Sequence, residues 1–131
     1  MKNAYPITIQ QDGEFFVVFV PDFEINTQGT TIAEAMEMAR DVIGMSGCYM
    51  QDNKRSIPAP SRVEDVKADP DTIVTLVDVN FEEYRRKHDN RAVRKNLTIP
   101  SWLNEEAETA GLNFSAVLQS ALKRELHITD R

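Results

Sequence analysis

The chain has 131 residues, 41% of them hydrophobic and 27% charged, with a formal net charge of −6. That balance excludes a disordered polypeptide, and the lack of a long apolar run excludes a helical membrane protein; one ordinary domain, or a small domain with an accessory module, is expected. The single Cys48 rules out an internal disulfide, and without a signal-peptide pattern the expected compartment is a reducing cytoplasm.

Tyr5 to Gln10 and Glu14 to Val20 are β-rich runs on either side of Asp12-Gly13, a two-residue hairpin signal, so they should pair antiparallel. Pro21-Asp22 closes the second run, and Ile25 to Gln28 is long enough for a third, short strand. Thr31 and Glu34 have the spacing of a capping box, and Ile32, Met36, Ala39 and Ile43 form a helical stripe that should cover one face of the sheet. Gly44 and Gly47 weaken the helix signal in its C-terminal part, although the stretch from Met50 to Asp52 can still belong to it. Cys48 lies in that helix with no partner motif and reads as a small buried hydrophobe, and Met36, Met38, Met45 and Met50 read as packing residues. Ile57-Pro58-Ala59-Pro60-Ser61 is an extended loop, because each proline removes a donor and restricts its predecessor. Thr72 to Val79 is a strand apolar on both alternating faces, the pattern of a strand inside the sheet.

Charge is uneven along the chain. Residues 1–80 hold six Lys and Arg against thirteen Asp and Glu, whereas residues 81–131 hold nine against eight. Arg85, Arg86, Lys87, Arg91, Arg94 and Lys95 crowd into eleven positions with Asp89 as the one acid, which points to a nucleic-acid contact at that end and a different partner for the acidic body. Residues 81–90 read as a linker, with Phe81, Tyr84 and Arg85 at helical spacing and His88 on its polar surface. Arg94 to Pro100 then alternates, Leu97 and Ile99 on one side and Arg94, Asn96 and Thr98 on the other, as in a strand. A lone strand is not stable in water, and no second strand lies near it in sequence, so the expected partner is the same segment of a second chain. Ser101 onward is amphipathic up to Gly111, a helix stop; Asn113 is an N-cap for a second helix carrying Phe114, Val117, Leu118, Ala121, Leu122 and Leu126. Trp102 fits a buried dimer-core anchor better than a base-stacking platform, and His127 sits at the chain end without a catalytic or metal-binding context.

Strand, helix, Gly111-Leu112-Asn113-Phe114-Ser115 turn and helix, in that order, resemble the ribbon-helix-helix family, in which two chains pair their strands into a ribbon that enters the DNA major groove. The resemblance implies that Arg94, Asn96 and Thr98 read base edges and that Asn113, Phe114 and Ser115 hold a phosphate at the helix N-terminus. Phe114 stands where many relatives have a basic residue. The N-terminal part resembles the HicB antitoxin family through Tyr5-Pro6-Ile7, the stretch from Gly13 to Pro21-Asp22, Gln28-Gly29-Thr30-Thr31 leading into Glu34-Ala35, and the Ile57-to-Ser61 loop. Phe23-Glu24-Ile25 replaces the Leu-Pro-Gly that often follows the Pro-Asp in relatives.

The resemblance implies an α+β protein with a partial RNase H-like domain over residues 1–80, a linker over 81–90 and a ribbon-helix-helix module over 91–131. It implies an antitoxin that neutralises a HicA-type mRNA-cleaving toxin and represses its own operon by binding operator double-stranded DNA as a homodimer. A second self-association through an exposed sheet edge would give tetramers. An acidic domain suits a basic, RNA-binding partner, and Asp22, Glu24, Glu34 and Glu37 are the expected toxin-facing residues. No catalytic residue, cofactor or metal site is expected. Two rivals differ in class: a free-standing repressor with a ligand-sensing N-terminal domain, and a metal-dependent RNase H-like nuclease that would need Asp12, Glu14, Asp22, Glu24 or Asp78 to converge on metal ions.

Overall fold

The computed structural model describes residues 1–128. The chain divides into two compact units, Met1–Arg91 and Ala92–Arg131, the second described as far as Ile128.

The first unit is an antiparallel four-stranded sheet with helices on one face. Strands β1 (Lys2–Asp12), β2 (Phe15–Val20), β3 (Ile25–Gly29) and β4 (Ile73–Asn80) stand in the order β3-β2-β1-β4. The β1–β2 hairpin turns one residue later than the sequence suggests: Asp12 pairs with Phe15, so Gly13 and Glu14 form the two-residue loop. Gly13 takes φ +61°, the conformation that a tight hairpin of this length requires at its first central position. The strand expected inside the sheet is instead its edge. β4 pairs only with β1, and Ile73 and Leu76 are exposed, so an apolar run on both faces marks here a strand that is half open rather than doubly covered.

Helix α1 (Ile32–Asp52) starts on a built cap: the Thr31 hydroxyl accepts from Glu34 N–H at 3.0 Å, and the Glu34 carboxylate accepts from Thr30 N–H at 3.1 Å. It lays Ala35, Ala39 and Ile43 against the sheet face formed by Tyr5, Ile7, Ile9, Val18, Val20, Val77 and Val79, all buried. The small residues on the helix let it sit close, and each buried aliphatic side chain contributes about 1.5–3 kcal/mol relative to exposure. The segment expected as linker is mostly helix: α2 (Phe81–Lys87), capped by Asn80, packs on α1, and Phe81 is 1% exposed in the core. Gly44 and Gly47 explain why α1 runs through both. A Cβ at Gly44 would lie 2.4 Å from the Tyr84 ring and one at Gly47 2.2 Å from the Phe81 ring, so the two glycines form a notch that receives both aromatics of α2.

The second unit holds helices α3 (Ser101–Thr109) and α4 (Phe114–Glu125). Gly111 at φ +70° turns the chain between them, and the Asn113 side chain accepts from Ala116 N–H at 3.0 Å as the N-cap of α4. Neither helix contains a buried residue.

Candidate functional site

Residues 89–100 carry no secondary structure, and every one of them is exposed. Among the described residues Arg94, Asn96 and Thr98 therefore have no side-chain partner, and the segment makes no ladder with any of them. Leu97 is 65% and Trp102 63% exposed, and Leu122 and Leu126 on α4 are 52% and 67% exposed. The anchor role expected for Trp102 thus has no counterpart inside one chain. The apolar stripes of α3 and α4 reach solvent along their length, which a helical hairpin of this size cannot sustain unaided. At the start of α4, Asn113 caps Ala116, while Phe114 and Ser115 occupy the first turn, where N–H groups have no intrahelical acceptor.

The basic stretch is less available than its sequence implies. Arg85 pairs with Asp52 at 2.9 Å and donates to the Cys48 carbonyl at 3.2 Å and to Gln51 Oε1 at 3.1 Å. It so supplies the positive charge that the last turn of α1 lacks. Lys87 pairs with Glu83 at 2.9 Å, and Arg91 forks onto Asp89, its shortest contact 2.8 Å. The guanidinium holds the Asp89 carboxyl at a pKa of about 2. Arg94 and Lys95 have no such partner among the described residues.

The four acids expected to face a toxin stand in different local settings. Asp22 accepts from Ser61 N–H at 2.9 Å and from the Ser61 hydroxyl, fastening the proline loop to the end of β2. Glu34 caps α1, Glu24 sits in a left-handed turn residue at φ 53°, and Glu37 is exposed on α1. The same loop is held by Tyr5, whose hydroxyl donates to the Pro58 carbonyl at 2.8 Å and is pushed to higher pKa by burial. Asp78 also has a structural partner, Arg40, at 3.2 Å; that bond holds its carboxyl below the usual range. Among the described residues no three His, Cys, Asp or Glu side chains gather as metal ligands.

Sequence reasoning missed a cleft on the second face of the sheet. Thr8, Gln10 and Phe19 form its floor and the 61–72 loop, with Asp65, Val66 and Asp69, its wall, around a cavity of about 470 Å³. The alternation of Thr8, Gln10, Val17 and Phe19 was the available signal, but the loop brought to them lies some fifty residues away in sequence.

Over residues 5–121 the chain matches the model of the HicB-like antitoxins of bacterial toxin-antitoxin systems. It is 32% identical over 103 residues to an uncharacterized 14.9 kDa protein from the rep-hol intergenic region of Haemophilus phage HP1, covering 76% of this chain and 74% of that protein. It is 39% identical over 59 residues to the antitoxin HicB of Escherichia coli K12, covering 44% of this chain and 43% of that one. Among solved structures, a chain of a toxin-antitoxin complex from Streptococcus pneumoniae superposes with a TM-score of 0.61 at 27% identity, over 95% of this chain and 99% of that chain. The Burkholderia pseudomallei antitoxin HicB shares the fold, with a TM-score of 0.50 at 23% identity over 97% of this chain and 98% of that one. No helix among the described residues is long and apolar enough to cross a membrane. A match running from the first core strand to the middle of α4 takes in both units, and the chain belongs to the HicB-like antitoxin family of bacterial toxin-antitoxin systems.

Proposed function

We propose that this chain neutralises a HicA-type mRNA-cleaving toxin by direct binding and represses its own operon through the C-terminal unit, with no catalysis of its own. In this reading the first unit is a partial RNase H-like domain that masks the toxin, and the second is a ribbon-helix-helix module. Residues 94–99 of two copies pair as strands, burying Leu97 and Ile99 and presenting Arg94, Asn96 and Thr98 to the major groove. The observation that carries the reading is the second unit itself, a capped helix pair with no buried side chain in either helix and an exposed aliphatic-polar alternation just before it. Such a unit acquires a core only when another copy covers it. Arg94 suits a guanine and Asn96 an adenine, each pairing worth about 1–3 kcal/mol of discrimination, and the first turn of α4 at Asn113, Phe114 and Ser115 suits a phosphate.

The test is twofold. Co-expression with a HicA-type toxin should yield a stable complex, whereas a free-standing repressor would purify alone. In an operator shift assay, Arg94→Ala should cost about 1–3 kcal/mol and relax base preference. Unchanged binding by Arg94→Ala and Lys95→Ala together would remove the ribbon from consideration.

A further inference from the structure

Several carboxylates of the first unit are engaged, Asp22 with Ser61, Glu34 with Thr30, Asp41 with Tyr84 and Asp52 with Arg85, whereas Glu37 on α1 has no partner among the described residues. The side chains of Asp65, Asp69 and Asp71, in the loop along the second sheet face, have no hydrogen bond or ion pair among the described residues; nor does that of Asp12, on the same face by the alternation of β1. The face between them is mixed, with Gln10, Asn26 and Gln28 exposed beside the apolar Phe19 and Leu76. Phe19 is 38% and Leu76 47% exposed, and Val17 and Val74 lie half-buried beside them. A sheet with one covered face and one solvated face ordinarily shows polar residues on the solvated side. Here Phe15, Phe19 and Leu76 stand exposed among the polar residues of that side, apolar surface that a covering molecule would use.

We infer that this second face, with Phe19 and Leu76 as floor and Asp65 and Asp69 as rim, is the surface that takes the toxin. The inference rests on the proposed antitoxin function and names the side of the domain that performs it. The occupant follows from charge: a small protein that grips RNA presents a cationic surface, and the loop, with Asp65, Asp69 and Asp71 against the single Lys67 beside them, keeps a negative balance that attracts it. A second copy of this chain fits poorly, because a two-fold contact through this face would set the Asp65, Asp69 and Asp71 rims of both copies against each other. Glu37, expected from the sequence to face the toxin, is exposed on α1 on the opposite side and has no partner among the described residues, so its substitution discriminates between the two faces.

The experiment titrates a purified HicA-type toxin, carrying a substitution that abolishes its RNA cleavage, into this chain by calorimetry. Asp65→Lys with Asp69→Lys should weaken binding by at least tenfold, and Phe19→Ser by a similar factor, while Glu37→Lys leaves it within twofold. The loop variant keeps its circular dichroism spectrum and operator affinity, so a folding loss in Phe19→Ser does not remove the test. Equal binding by the loop double variant and the parent, or a Glu37→Lys loss as large, overturns the inference and leaves the antitoxin function standing. No heat from the parent chain itself overturns both. Self-association abolished by Phe19→Ser, with toxin binding unchanged, assigns the face to a second copy and overturns it as well.

Discussion

Gly44 and Gly47 show how a residue read as a defect becomes a contact. In sequence each lowers helix propensity by roughly 1 kcal/mol relative to Ala. In the fold they are the only residues that leave room for Tyr84 and Phe81, whose rings lie where their Cβ atoms would be. Gly47→Ala is therefore expected to destabilise by about 1–3 kcal/mol despite its better propensity, since overpacking against a buried ring outweighs the helix gain; a lowered urea midpoint with unchanged slope checks it. Tyr84 carries a second consequence. Burial, and then the Asp41 carboxylate that accepts from its hydroxyl at 3.3 Å, raise its pKa to about 12. Its folded value lies above its unfolded value near 10, so the contribution is whole below about pH 10 and fades as pH climbs toward the folded value. The urea midpoint should drop over that range, and Tyr84→Phe should flatten the drop.

At the scale of elements, what could be read was whatever obeys a local rule. Thr31 and Glu34 announce the start of α1, Asn113 that of α4, and Gly111 the stop between the two C-terminal helices, because caps and left-handed turns are decided within a few residues. Thr31→Ala should accordingly cost about 1 kcal/mol in chemical denaturation, the usual worth of such a cap. Strand order was not local: nothing in the stretch from Ile73 to Asn80 says that one side of its backbone lacks a neighbour, since Val77 and Val79 are buried by α1 and Leu76 points away from it. The spacing of Phe81, Tyr84 and Arg85 already suggests helix α2, but its docking was hidden for a similar reason. Its seven residues are mostly charged, and only the distant notch on α1 makes Phe81 a core residue. Of the acids expected to face a partner, Asp22 and Glu34 proved to be fasteners, a role set by Ser61 and Thr30 that charge counting does not reveal.

For the whole molecule, the engaged bases limit the free positive charge that the proposed operator contact can draw on. With Arg85, Lys87 and Arg91 paired, the proposed dimer would bring Arg86, Arg94 and Lys95 from each chain, and its operator affinity should fall with log salt at a slope of about −5, against about −11 if all six bases of both chains were free. Leu122→Arg alters an exposed residue of the single chain, where such changes usually cost under about 0.5 kcal/mol. Loss of both dimerisation in sedimentation and operator binding, with the thermal transition of the first unit intact, is the outcome expected if that side chain lies in an interface. The docking of α2 also seals Cys48, whose thiol donates to the Phe81 carbonyl at 3.6 Å and is made harder to ionise by burial. As the chain has no other cysteine, a thiol reagent applied to the native protein reacts only when this helix lifts. The reaction rate then becomes a clock for that local opening, and modification faster than global unfolding would show α2 parting from the sheet on its own.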